Sequence, residues 1–298
     1  MLKDIGFRKR KDKENMKIAI ASGKGGTGKT TISTNLAFYI KNFTDQDVTL
    51  LDCDVEEPNC HLFLNSILQE VQRVVLSVPI INQDRCIGCG KCSEICQFSA
   101  IACIKGKVLL FPELCHSCNG CILTCPTAAL AEGEREIGTV EIGDSNGITT
   151  VFGSMRIGEA MSPPLIKAVK SYAKQEGFYL IDSPPGTSCP VIQAVKDCDF
   201  ILLVTEPTPF GLNDLILAVE MVRKLSLPFA VGINRTTVGD KKVWEYCSKE
   251  GIPIILEIPE DKDIAKTYSR GHLILEDLPH YKESFDKLYQ HLQEVIPC

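Results

Sequence analysis

The apolar positions of this 298-residue chain change their period along its length. Short, mostly apolar runs at 17–22 (KIAIAS), Val48–Asp52, Thr149–Phe152, Phe178–Asp182, Phe200–Thr205, Phe229–Asn234 and Pro253–Glu257 read as strands buried on both faces. Between them lie stretches with helical spacing: Lys29 to about Asn42, with Leu36, Ala37 and Ile40 on one stripe, then Pro164–Glu176, about Leu212–Leu225, and Lys241–Glu250. This alternation predicts an α/β, doubly wound, mostly parallel sheet with right-handed crossovers. A last helix sets Phe285, Leu288, Leu292 and Val295 on one face. Its polar face is not rich in lysine or arginine, so it is expected to pack on the sheet and not to lie on a membrane.

The rhythm breaks at about Leu76 and returns after about Ala131. The expected organisation is a tail over 1–15, the first part of an α/β domain over 16–76, an inserted domain over 77–131, and the rest of the α/β domain over 132–298. In the insertion only short strand-like pieces are visible, such as Lys107–Phe111, with a hairpin expected around Lys105-Gly106. Fifteen cysteines in a chain whose residues 1–15 lack the apolar core of an export signal point to metal ligation over disulfides, and a cytoplasmic location is expected. A net charge of −6 gives no reason to expect a nucleic-acid partner, and the basic run Arg8–Lys11 reads as solvated.

Eight of the cysteines form two runs, Cys86-x2-Cys89-x2-Cys92-x3-Cys96 and Cys115-x2-Cys118-x2-Cys121-x3-Cys125, the second followed by Pro126 and the first by Gln97. In two-cluster ferredoxins the last cysteine of each run serves the other cluster. That pattern assigns Cys86, Cys89, Cys92 and Cys125 to one [4Fe–4S] site, and Cys96, Cys115, Cys118 and Cys121 to the other. Zinc is the competing reading, because thiolate tetrads also bind Zn²⁺, but zinc sites usually pair two C-x2-C halves. The insertion resembles a complete bacterial 2[4Fe–4S] ferredoxin domain. Cys60, Cys103, Cys198 and Cys247 are expected to be buried as small apolar side chains.

The first strand runs into Gly23-Lys24-Gly25-Gly26-Thr27-Gly28-Lys29-Thr30-Thr31, and a helix follows. Glycines let the backbone wrap closely round phosphate oxygens, so its N–H groups and the helix N-terminus face the anion. Lys29 is expected on the β- and γ-phosphates of ATP or ADP, and the Thr30 hydroxyl on Mg²⁺. With Lys24 near its start, the loop resembles the deviant phosphate loop of the MinD, Mrp and nitrogenase-iron-protein superfamily. The resemblance implies an ATP-dependent homodimer in which Lys24 reaches the partner's nucleotide. It further implies that Asp54 of Asp52-Cys53-Asp54 orients the attacking water, that Asp182 holds Mg²⁺, and that Gly186 lies near the γ-phosphate. It places Asn234 and Pro259 beside the adenine. Cys189, seven residues after Asp182, stands where the nitrogenase iron protein binds a bridging cluster. The companion cysteine position is Ser154 here, and a packed thiol is the other reading.

Three functions fit these features. The first is an energy-coupled electron carrier, in which switch motion acts on the ferredoxin domain. The second is an assembly or carrier factor for iron–sulfur clusters or metal cofactors. The third is a MinD-like positioning or sensing ATPase. The first two imply a redox or iron–sulfur client protein; the third implies nucleotide-dependent membrane or partner localisation, with the acidic last helix against the membrane version, so no membrane partner is expected.

Overall fold

A computed structural model describes residues 15–173 and 177–295, with the side chains of Asn15 and Val295 outside that description. The tail, with Arg8–Lys11, the end of the expected Pro164–Glu176 helix and the side chain of Val295 therefore lie outside the described residues. The strands in chain order are β1 (Asn15–Ala21), β2 (Val48–Asp52), β3 (Ile67–Ile81), β4 (Ile101–Ile104), β5 (Lys107–Leu110), β6 (Leu130–Ser145), β7 (Ile148–Met155), β8 (Gly177–Asp182), β9 (Phe200–Thr205), β10 (Phe229–Asn234) and β11 (Ile254–Ile258). Nine of them form one sheet in the order β11-β10-β9-β1-β8-β2-β7-β6-β3. From β11 to β7 every pairing is parallel, while β6 runs antiparallel to both β7 and β3.

The parallel strands are buried on both faces because helices cover both sides, and β9 (FILLVT) has no exposed residue. One face packs Ile18, Ile20, Leu50 and Leu180 against Leu36 and Ile40 of the helix Lys29–Phe43 and against Phe285, Leu288 and Leu292 of the last helix. The expected apolar face of that last helix is thus core. The other face packs Ala19, Leu51, Ile181 and Ile201 against Leu165, Val169, Val191 and Val219. The helix from Pro163 ends at Lys170, short of the expected stretch, because Ser171 and Ala173 close turns on Lys167 and Lys170.

The sequence pattern does not announce β3 and β6, which are 15 and 16 residues long. Most of β3 from Ile67 to Arg73 is exposed, so no buried face imposes a period on it. What holds the pair is ladder hydrogen bonding from Ile67↔Asp144 to Ile81↔Leu130. The far end of this ribbon carries residues 82–129, where β4 and β5 form the expected hairpin with Lys105 (φ 51°) and Gly106 (φ 77°) at its tip. Two successive left-handed residues are what a two-residue turn between right-twisted strands requires. A small core of Ile101, Val108 and Leu130 packs with Cys92 and Cys121 inside this arm.

The root of the arm contains a buried ion pair, Arg135 of β6 with Glu159 in the loop after β7. Glu159 also accepts from the Ala160 and Met161 N–H groups, at 3.1 Å each. Removing one partner of a buried pair leaves an uncompensated charge. Glu159→Ala should therefore lower the unfolding free energy by about 3 kcal/mol or more. Glu136→Ala, which breaks the exposed pair with Arg73, should cost no more than about 1 kcal/mol, as read from urea midpoints of the two variants.

Candidate nucleotide site and sulfur-lined cavities

The phosphate loop joins β1 to the helix that starts at Lys29. Gly26 (φ 77°) and Gly28 (φ 95°) are left-handed, and a Cβ on Gly28 would lie 2.4 Å from Asn234 Nδ2. Asn234 ends β10 and donates from Nδ2 to the Thr27 carbonyl oxygen at 3.0 Å, so the β10 end braces the loop from below. Pro259 follows β11, whose Ile258 pairs with Asn234, which puts the two expected base-binding segments side by side. The Thr27 hydroxyl is buried with no protein partner. An orphaned donor beside a left-handed, glycine-built turn at a helix N-terminus fits a phosphate group.

Asp52 ends β2 and Asp182 ends the neighbouring β8, and the two are register partners. Asp182 accepts from Thr30 Oγ1 at 2.7 Å through Oδ2 and from Ser33 Oγ at 2.8 Å through Oδ1. The Cys60 thiol reaches Asp182 Oδ2 at 3.5 Å. Thr30 and Asp182 are therefore the oxygen pair suited to a hard divalent cation. Asp52 accepts from the Asp54 N–H through Oδ1 and from the Asn59 and Cys60 N–H groups through Oδ2, all at 3.0–3.1 Å. These bonds bend residues 52–60 into a closed turn that presents Asp54, half-buried, toward the side where Lys29 stands. Gly186 (φ 99°) closes the opposite turn by donating its N–H to the Ser22 carbonyl oxygen. Thr31 lies in the first turn of the helix, its carbonyl accepting from Asn35 Nδ2.

Burial raises the carboxyls of Asp52 and Asp182 and lifts Asp54 to about 6, with Lys29 opposing the rise at Asp54 and Asp182. Burial also pushes the Cys53 and Cys60 thiols well up, so both are neutral.

Lys24 is bonded to Glu206 at the end of β9, and Glu206 Oε2 stands 3.5 Å from Arg235 Nη1. Within one chain the lysine expected to cross to a partner is thus held by a carboxylate that the sequence reading did not single out. Nor did that reading find Ser33, and it took Cys60 for a packed thiol. Only a strand-end acid three residues before a helix, at Glu206, was available as a signal.

The eight clustered cysteines fall into two groups in the arm. Cys86, Cys89, Cys92 and Cys125 line one cavity with Ile81, Val108 and Leu130. Cys96, Cys115, Cys118 and Cys121 line a second with Phe98 and His116. All fourteen described cysteines are free thiols. Four sulfurs facing one apolar space suit a thiophilic metal group. Burial pushes the Cys125 thiol up, but N–H groups of Thr127, Leu130 and Ala129 outweigh it and the net shift is downward, toward thiolate. Cys89 and Cys118 are exposed at their cavity mouths.

The other thiols divide differently from expectation. Cys198 and Cys247 are packed as expected, and Cys60 is buried but against a carboxylate. Cys103 is only half-buried: it packs against the small core of the arm, with its thiol 3.7 Å from the Gly88 carbonyl oxygen. Cys189 starts the helix Cys189–Val195 and is exposed, so it is not a packed thiol.

Residues 18–274 match the family described as the CobQ/CobB/MinD/ParA nucleotide binding domain. The chain belongs to that family. An uncharacterized protein of Methanocaldococcus jannaschii is 35% identical over 288 residues, covering 94% of this chain and 98% of its own. An iron-sulfur cluster carrier protein of the same organism is 25% identical over 250 residues, covering 83% and 67%. Among solved structures, the cell division ATPase MinD of Pyrococcus furiosus superposes with a TM-score of 0.59 at 20% identity, covering 95% of this chain and 100% of its own, which shows the shared fold. No helix among the described residues is long and apolar enough to cross a membrane.

A carboxyl that binds its proton more tightly folded than unfolded contributes stability that is complete at low pH and is lost as pH rises through its folded value. Asp54 therefore makes the nucleotide-free protein less stable as pH rises from about 4 to about 6, and Asp52 and Asp182 add to the same slope. Asp54→Asn should flatten that decline, as followed by urea midpoints between pH 4.5 and 7.5.

Proposed function

We propose that this chain is an ATP-hydrolysing iron–sulfur protein that carries clusters to a client protein. Cys86, Cys89, Cys92 and Cys125 hold one [4Fe–4S] group and Cys96, Cys115, Cys118 and Cys121 the other; Thr30 and Asp182 hold Mg²⁺. The observation that carries the reading is the pair of four-sulfur cavities, each with one exposed cysteine at its mouth. An exposed ligand is one that a client's thiolate can replace, and exchange of ligands is how a bound metal group changes hands. The likeness to a protein named as an iron-sulfur cluster carrier supports the same reading.

Lys29 and the loop N–H groups bind and orient the phosphates, and Asp54 positions the water. Val55, the next residue, accepts from the Met155 N–H at 2.9 Å at the end of β7, and the Arg156 N–H donates to Ile137 of β6 at 2.9 Å. A displacement of the Asp54 turn is thereby passed to β6 and so to the root of the arm. In a homodimer closed on ATP, Lys24 leaves Glu206 for the partner's nucleotide.

Electron transfer is the second reading, favoured by the completeness of both quartets, which would keep each cluster resident. Its potential would then depend on the solvent exposure and hydrogen bonding of the site. The insertion resembles a ferredoxin under either reading.

The deciding experiment loads the protein anaerobically and follows iron and sulfide into an apo-ferredoxin with and without ATP and Mg²⁺. About eight iron atoms per chain and ATP-accelerated delivery are expected. Delivery indifferent to nucleotide, with reduction potentials that move with it, would replace carriage by electron transfer. An iron-free zinc protein would end both readings. Lys29→Ala should abolish the nucleotide response. Asp54→Ala should still bind ATP but hydrolyse it about 100-fold more slowly or worse, and normal turnover would show that another residue positions the water.

A further inference from the structure

The four Lys and Arg residues between positions 82 and 129 all fall on the two segments that meet beside the first cavity, although the chain as a whole carries −6. Lys91 lines that cavity, with Ile87 and Cys89 at its rim. Arg85 directly precedes Cys86. Lys105 and Lys107 arrive from the β4–β5 hairpin, whose tip is pressed against the cysteine loop. A Cβ on Gly88 would lie 2.7 Å from the Gly106 carbonyl oxygen and 2.8 Å from its Cα. All four cations are exposed, and none forms an ion pair among the described residues. The nearby carboxylates in sequence are Asp84 and Glu94. Between the cations lie two exposed apolar side chains, Ile87 at 66% and Ile104 at 56%.

The second mouth has the opposite character. No Lys or Arg lines its cavity, Glu113 lies two residues before Cys115, and Asn119 on its wall donates to Glu132 at 2.8 Å. One arm therefore offers two openings of unlike charge.

We propose that the first mouth is the docking face for a partner protein that presents an acidic patch around an apolar contact point, and that the second mouth does not receive it. The inference rests on the iron–sulfur reading, since the partner comes to this mouth for what Cys89 helps to hold. Unpaired surface cations add little to fold stability but attract an oppositely charged surface over about a Debye length, ~8 Å at physiological salt. The isoleucines supply contact area that loses water once the surfaces meet. Interspersed apolar groups on an acidic chain fit a protein surface better than a phosphate backbone, which needs charge above all.

The test is calorimetric titration of the cluster-loaded full chain with a plant-type [2Fe–2S] ferredoxin as an acidic probe, and with cytochrome c as a basic control. The acidic probe should bind, and its Kd should weaken about tenfold between about 20 and about 200 mM salt. Arg85→Glu with Lys107→Glu should weaken it at least about tenfold at low salt. The same charge change at Lys224 and Lys249, outside the arm, should alter it less than about twofold. Binding that ignores salt, or that falls equally in both double variants, would remove the docking face. Tighter binding of a single-stranded oligonucleotide, lost in the Arg85/Lys107 variant, would reassign the mouth to nucleic acid. Iron content separates the two layers of argument: an iron-loaded protein that does not bind refutes the docking face alone. An iron-free protein that binds refutes the iron–sulfur reading alone.

Discussion

The antiparallel pairing of β6 with β7 is the constraint on which the rest of the molecule depends. It converts the last parallel edge of a nucleotide-binding sheet into the root of a two-stranded ribbon, and β3 pairs with β6 along the full length of that ribbon. Without that pairing the cysteine-bearing segment would be tethered by two loops and would have no fixed relation to the phosphate loop. With it, the Val55 and Ile137 carbonyls accept backbone hydrogen bonds from consecutive residues, Met155 and Arg156. The buried Arg135–Glu159 pair locks the same corner. A long two-stranded ribbon is a marginal structure alone, so its continuity with the other seven strands of the sheet is what gives the arm a rigid base.

The nucleotide side is a site built at a cost to the empty protein. Asp52, Asp54 and Asp182 are gathered at the ends of two strands that are neighbours in space, with burial disfavouring their charged forms. Backbone N–H groups and the hydroxyls of Thr30 and Ser33 absorb part of that cost. A divalent cation and a polyphosphate would supply the rest, which ties occupancy of the site to the shape of the 52–60 turn. Glu206 adds a second dependence, since it holds Lys24 and Arg235 from within the chain.

Local chemistry made much of this legible in the chain alone. Parallel strands buried on both faces show as short apolar runs, and three of them, Val48–Asp52, Phe200–Thr205 and Phe229–Asn234, have the bounds the pattern predicts. The phosphate loop and the cysteine runs are legible for the same reason: each is a contiguous stretch whose backbone or ligand spacing is fixed by what it would bind. The strand β3 was not legible because its first half is exposed, so pairing and not burial holds it, while β6 buries Ile137 and Val140 in the main core but interrupts its apolar positions with Gly133, Gly138 and Gly143.

The sequence by itself therefore determined the sheet's parallel core, the loop between β1 and its helix, and which cysteines could serve a metal group. Those properties follow from residues close together in the chain. The ferredoxin spacing had also assigned Cys125 to Cys86, Cys89 and Cys92 and Cys96 to the other set, and the two cavities are lined by the same sets. Only the tertiary structure decided that Cys60 lies on Asp182, that Glu206 holds Lys24, and that the hairpin tip at Gly106 meets Gly88 beside Cys89. Each of these contacts joins residues brought together by strand pairing or chain reversal, and no local period or spacing records them.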